Sequence, residues 1–104
     1  MSYSVVDASD WEERRKPIAR TLGAQAIRLN RFDSQPGQEG KEHDERETGQ
    51  EEIYIPVAGR GWIRIDGDEV ELDPGRFVLV SAEAKRQVIA SDEGLSYVVV
   101  GAAP

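Results

Sequence analysis

The sequence predicts an all-β fold, a single small barrel with little helix, on three observations. Apolar residues from Ala24 onward come in short runs, several with period-two alternation, separated by turn residues at close intervals. One stretch, Asp33 to Glu52, carries no apolar residue and reads as a long loop rich in Gly, Glu and Gln. A length of 104 residues suffices for one core and not for two. The expected organisation is one domain over 1–104, with a barrel core over about 24–101 and an N-terminal arm over 1–23.

In chain order, Ser9 to Arg14 has the composition of a capped helical turn, and Ala24 to Phe32 alternates Ile27 and Leu29 against Arg28 and Asn30, as a strand does. After the loop, Glu52 to Val57 forms a strand, Gly59-Arg60-Gly61 a turn, and Trp62 to Ile65 the next strand. Pro56 cannot donate to a ladder and predicts an edge or a bulge. Asp66-Gly67 is a hairpin signal, because both central positions of the favoured turn need positive φ. The returning strand is Asp68 to Leu72, with Val70 and Leu72 facing inward. Asp73-Pro74-Gly75 turns the chain again. Phe77 to Val80 and Tyr97 to Val100 are continuous apolar runs, expected of strands covered on both faces. Gln87 to Ala90 is a weaker strand, and Ser91 to Gly94 a turn.

Charge and composition exclude several functions. A formal net charge of −7 with no basic stripe opposes nucleic-acid phosphates and anionic membranes. The absence of cysteine removes disulfides, thiolate nucleophiles and thiolate metal ligands. Nothing approaches a membrane span, and Met1 to Val6 has no leader character, so the expected location is cytoplasmic.

Gly37, His43, Glu45, Glu52 and Gly59 are spaced much like the first signature of the cupin superfamily, which the chain resembles from about Ala24 to its end. Asp73-Pro74-Gly75-Arg76-Phe77-Val78-Leu79-Val80 is similar to the strand entry of the second signature. Gln50 to Tyr54 and Asp92 to Gly101 resemble small single-domain cupins without an assigned activity. The resemblance implies a jelly-roll barrel, the double-stranded β-helix, and a metal site of three histidines and a glutamate. This chain departs from that set: Glu45 stands at one histidine position and Arg86 at another, and the gap from Glu45 to Glu52 is about two residues longer than usual. An alignment without that insertion places Glu45 and Glu47 at the two histidine positions.

His43 is the only histidine in the chain. A non-haem iron site needs two histidines and a carboxylate, and a protonated arginine repels a cation. The expectation is therefore a barrel without a tightly held metal, in which Arg86 is a bidentate partner of Glu45 or Glu52. The candidate ligand-binding residues are Arg86, His43, Glu45, Glu52, Tyr54 and Trp62, with Phe77 as a further apolar wall. Arg86 would serve as the cationic handle for a small molecule, such as a carboxylate or similar anion.

The alternative is a metal-dependent enzyme, isomerase or oxygenase-like, using His43, Glu45 and Glu52 with a divalent ion (Mn, Fe, Zn or Ni), or a metal-free acid-base catalyst on the same residues. Gly37-Gln38-Glu39-Gly40 lacks the lysine and helix start of a phosphate loop. A homodimer is expected, with Tyr3 to Val6 and Ala24 to Phe32 as interface strands.

Overall fold

The computed structural model describes residues 2–104; Met1 lies outside the described residues. A 3₁₀ turn, Ala8–Asp10, is capped by Asp7, whose carboxylate accepts from the Ser9 backbone N–H. It is followed by β1 (Arg15–Lys16), α1 (Ile18–Leu22), β2 (Arg28–Ser34), β3 (Glu51–Ile65), β4 (Asp68–Leu72), β5 (Val78–Val80) and β6 (Arg86–Ala102). No helix is long and apolar enough to cross a membrane, among the described residues. All pairings are antiparallel, in the order β1-β2-β6-β3-β4, with β5 on β3.

Two long strands organise the barrel, and both overturn an expected turn. Gly59-Arg60-Gly61 is no turn: the chain runs on through β3, with register shifts against β6 at Pro56/Ala58 and Gly59/Gly61. Ser91 to Gly94 likewise lies inside β6. Across the second shift Gly59 pairs with Leu95 and Gly61 with Ala90, so one residue of β3 faces four of β6. The physical reason is close backbone approach. A Cβ at Gly59 would collide with the Gly94 carbonyl, and one at Gly61 with the Ile89 carbonyl, so glycine lets the ladder bend where turn chemistry suggested a reversal. Pro56 sits at the first shift, as a bulge proline should.

The bend divides the sheet into two halves. The first half of β3 pairs with β5 and the end of β6, which also carries β2; the second half pairs with β4 and the start of β6. One core joins them, with Tyr54, Val80, Tyr97 and Val99 from one half and Ile63, Leu72 and Val88 from the other. Ile63 and Leu72 are fully buried. Asp66 and Gly67 both take positive φ at the β3–β4 hairpin, as the turn requires.

Other expectations are corrected. The strand expected from Ala24 begins at Arg28 and β5 begins at Val78; Phe77 and Leu79 face solvent at 67% and 60% exposure, so that apolar run is covered on one face and not on both. Helix appears after Pro17, with Gly23 in the left-handed region as its C-cap, and the turn near Ser9 is 3₁₀. Tyr3 to Val6 forms no strand, and Tyr3 and Val5 are exposed. β2 is bounded by β6 along its length and by β1 at Arg31 and Phe32.

The acidic loop is held to the barrel by its backbone. The N–H groups of Gly37, Gly40, His43 and Glu45 donate to carbonyls of Ser91, Val88, Arg86 and Ala82. His43 and Arg86 exchange both backbone bonds, at 2.9 and 2.8 Å. A segment that sequence composition marks as solvated is thereby laid along the start of β6.

Candidate functional site

The Arg86 pairing brings the loop residue His43 over the barrel, and β3 supplies Glu52 and Tyr54 two residues apart on one face. A cavity of about 360 Å³ opens there. His43, Glu45, Glu52, Tyr54 and Arg86 line it and are linked to one another by short contacts, and because Arg86 is fully buried this part of the lining is called its inner end. Its wall holds Phe32 and Tyr97, stacked with ring centroids 5.0 Å apart, and Tyr54 lies 6.3 Å from Tyr97. Arg14, Arg15, Arg28 and Lys41 also line the cavity.

Five of the six expected ligand-binding residues line this one cavity, and Trp62 does not. Trp62 is neighbour in sequence to the fully buried Ile63, so strand alternation turns it to the opposite face. Phe77 is excluded by its exposure. The residues that sequence reasoning missed are the cations Arg14, Arg15, Arg28 and Lys41. Arg28 was visible as the polar side of an alternating strand. Its face, with Asn30 and Phe32, lines the cavity.

Arg86 is the largest fully buried side chain of the protein, and its side chain is 0% exposed. Its Nη1 donates to the Ala84 carbonyl at 2.7 Å and its Nη2 to the Ser81 carbonyl at 3.2 Å. Nη2 lies 3.6 Å from Oε1 of Glu52. That is one long contact and not the bidentate pair expected, because Nη1 and Nη2 are each turned to a backbone carbonyl. Arg86 Nε is buried without a partner among the described residues.

Glu52 Oε1 also accepts from the Tyr54 hydroxyl at 2.8 Å. Burial and the adjacent Glu52 carboxylate push the Tyr54 phenol far above its ordinary value, against the opposing pull of Arg86. The Tyr97 phenol is pushed up to about 12, chiefly by burial, with Arg14 opposing. Both phenols stay neutral at physiological pH. His43 Nδ1 lies 3.0 Å from Oε2 of Glu45, and the Thr48 hydroxyl donates to Oε1 of Glu45 at 2.9 Å.

His43, Glu45 and Glu52 have donor atoms within 4.8 Å of one another, close enough to share a cation. The wider set does not fit the metal group that the resemblance implies. One imidazole stands where three are needed, Glu52 already receives Tyr54, and the remaining position holds a guanidinium that cannot coordinate.

No family model and no curated protein matches the chain. Solved structures do. A cupin protein from Bacteroides fragilis superposes with a TM-score of 0.86 at 21% identity, over 99% of this chain and 86% of that one. A Cupin 2 conserved barrel domain protein from Salinispora arenicola gives 0.75 at 20% identity, over 97% and 87%. DMSP lyases also share the fold, with a TM-score of 0.66 at 21% identity over 76% of this chain and 40% of theirs. The chain therefore has the fold of a small single-domain cupin, a fold that enzymes also use.

Proposed function

We propose that this cupin barrel binds a small organic anion in its cavity, without a tightly held metal. The carrying observation is that Arg14, Arg15, Arg28 and Lys41 line one cavity and none has a carboxylate within ion-pair distance among the described residues. Arg20, Arg76 and Lys85 also lack such a partner among the described residues, but they do not line this cavity, whereas these four converge on it. Arg14 stacks over Phe32 at 5.0 Å and so lies at the junction of aromatic wall and cationic lining. This arrangement moves the handle from Arg86, which is fully buried and whose Nη1 and Nη2 each already donate to a backbone carbonyl, to the four cations. Arg86 then closes the floor and holds Glu52.

Binding is tested by thermal shift with small mono- and dicarboxylates at low and high salt. A ligand at 100 times its Kd stabilises by about 2.7 kcal/mol, and Arg28→Ala with Lys41→Ala should remove most of that shift. Metal content after purification without chelator tests the other half. Near-stoichiometric metal that disappears in His43→Ala would make the metal-dependent reading, with His43, Glu45 and Glu52 as ligands, the leading one.

The same proposal takes the protein as cytoplasmic and homodimeric, with no nucleic-acid or membrane partner. The dimer contact moves from an edge to the outer sheet face, where Leu79, Ile53, Val100 and Leu29 fall in one register row across β5, β3, β6 and β2. Phe77, Leu79 and Ile53 are exposed there, and an apolar row of this kind is matched by a second copy of itself. Sedimentation of the wild type and of Leu79→Asp decides it, since a monomeric wild type removes the contact.

A further inference from the structure

The neighbours of His43 settle which ring nitrogen carries its hydrogen. Nδ1 faces two acceptors, Oε2 of Glu45 at 3.0 Å and the Asp44 carbonyl at 3.3 Å. In the neutral ring the hydrogen therefore resides on Nδ1 and the lone pair on Nε2. Nε2 takes no hydrogen bond among the described residues. Glu45 is itself fixed, by the Thr48 hydroxyl at 2.9 Å and by its own N–H on the Ala82 carbonyl at 2.8 Å. A base whose far nitrogen is oriented by a held carboxylate is the arrangement that proton-transfer sites require. It lines the same cavity as the four unpaired cations.

We infer that the cavity performs metal-free proton transfer on a small 2-oxo acid, with His43 Nε2 as the general base. The inference rests on the anion-binding proposal, because those cations must hold the substrate carboxylate. The class follows from acidity. A carboxylate alone leaves the neighbouring C–H too weak an acid for imidazole, whereas a ketone next to the carboxylate supplies an enolate.

In the step, the Nε2 lone pair takes a proton from the carbon beside the ketone. The C–H electron pair becomes the C=C π bond, and the C=O π pair moves onto oxygen as the enolate. Its charge is held among the lining cations, and the imidazolium is stabilised by Glu45. Reversal returns a proton to carbon, and exchange of the imidazolium hydrogen with water in between brings in a solvent hydrogen. No oxidant or co-reactant is consumed. His43 is the catalytic residue, and Glu45 a positioning residue.

The test is proton NMR of pyruvate and 2-oxobutyrate in D2O, with and without EDTA, following loss of the C3 signal for the wild type, His43→Gln and Glu45→Gln. Thermal shift with the same acids reports binding. The wild type should exchange about 10²-fold or more faster than His43→Gln, while His43→Gln still binds. Glu45→Gln should lower kcat with little change in KM. Equal exchange by wild type and a binding-competent His43→Gln overturns the base. Exchange that EDTA abolishes and a divalent ion restores overturns the metal-free step. Absence of any thermal shift in the wild type instead fails the anion-binding proposal on which this one rests.

Discussion

Replacing Arg86 by methionine tests whether a buried guanidinium is what closes the cavity floor. Methionine keeps most of the apolar stem, so the loss is polar. The Ala84 carbonyl loses a 2.7 Å donor inside a buried residue, and an unsatisfied buried acceptor costs about 1–3 kcal/mol. Glu52, with its side chain 13% exposed, loses its cation. A fully broken buried pair costs about 3–5 kcal/mol, but the contact here is long, at 3.6 Å, and the Tyr54 hydroxyl still donates to Oε1. That second loss is therefore only a fraction of the full figure. The expected total is about 2–4 kcal/mol, which for a domain of this size is roughly 10–25 °C in Tm. Urea and thermal unfolding measure it. Arg86→Met combined with Glu52→Gln removes the stranded charge and should recover about 1 kcal/mol or more of the loss. A single variant within about 0.5 kcal/mol of wild type would refute the structural role of the guanidinium, and a double variant no better than the single would refute its coupling to Glu52.

The converse substitution, Arg86→His, adds a second imidazole to His43, Glu45 and Glu52 and removes the repelling charge. It should gain a Tm increase with Mn²⁺ or Ni²⁺ that the wild type lacks; no gain would show that position 86 does not aim at that group. Acid stability should depend on Asp33. Burial pushes its carboxyl up, but the hydrogen bonds from Lys16, Ser96 and Arg31 together outweigh burial and hold it at about 2, below the ordinary 3.8. A depressed folded value means the contribution is present above about pH 4 and lost as pH falls toward 2. Discounted for a carboxylate 31% exposed, it amounts to about 1–2 kcal/mol. Urea midpoints at pH 5 and pH 2.5 should fall less in Asp33→Asn than in wild type, and parallel slopes would contradict the assignment. Gly61→Ala places a Cβ against the Ile89 carbonyl and the Leu95 side chain and should destabilise by about 2–3 kcal/mol, read by thermal unfolding.

The fold was legible because its signals are local. Asp66-Gly67 names its own turn, Pro56 its own bulge, and the Val70 and Leu72 alternation its own inward face. What composition misread was continuity. Gly59, Gly61 and Gly94 look like turn residues, yet their role is to let two long strands approach and bend, a relation between residues about 30 apart that no local window contains. The inner end of the site was legible by the same logic, since His43, Glu45, Glu52 and Tyr54 come from two neighbouring segments. Arg14, Arg15 and Arg28 come from β1, β2 and the arm before them, and only the folded sheet carries their charges to the cavity.

The distribution of charge explains why the inner end is the wrong place to look for the anion handle and the right place to look for the base. Both oxygens of Glu45 and one of Glu52 already receive or face a donor, and two carboxylates stand there against the one guanidinium of Arg86, so the inner end has no net positive charge to hold an anion. Around the cavity, the cations with no carboxylate within ion-pair distance among the described residues are Arg14, Arg15, Arg28 and Lys41. A ligand anchored by those cations shares the cavity with His43, whose Nε2 is the one side-chain nitrogen there with a free lone pair. A metal would need that same lone pair and the two carboxylates together. Ligand-induced protection of His43 from alkylation, lost in Arg28→Ala and indifferent to EDTA, would separate these two uses of the imidazole.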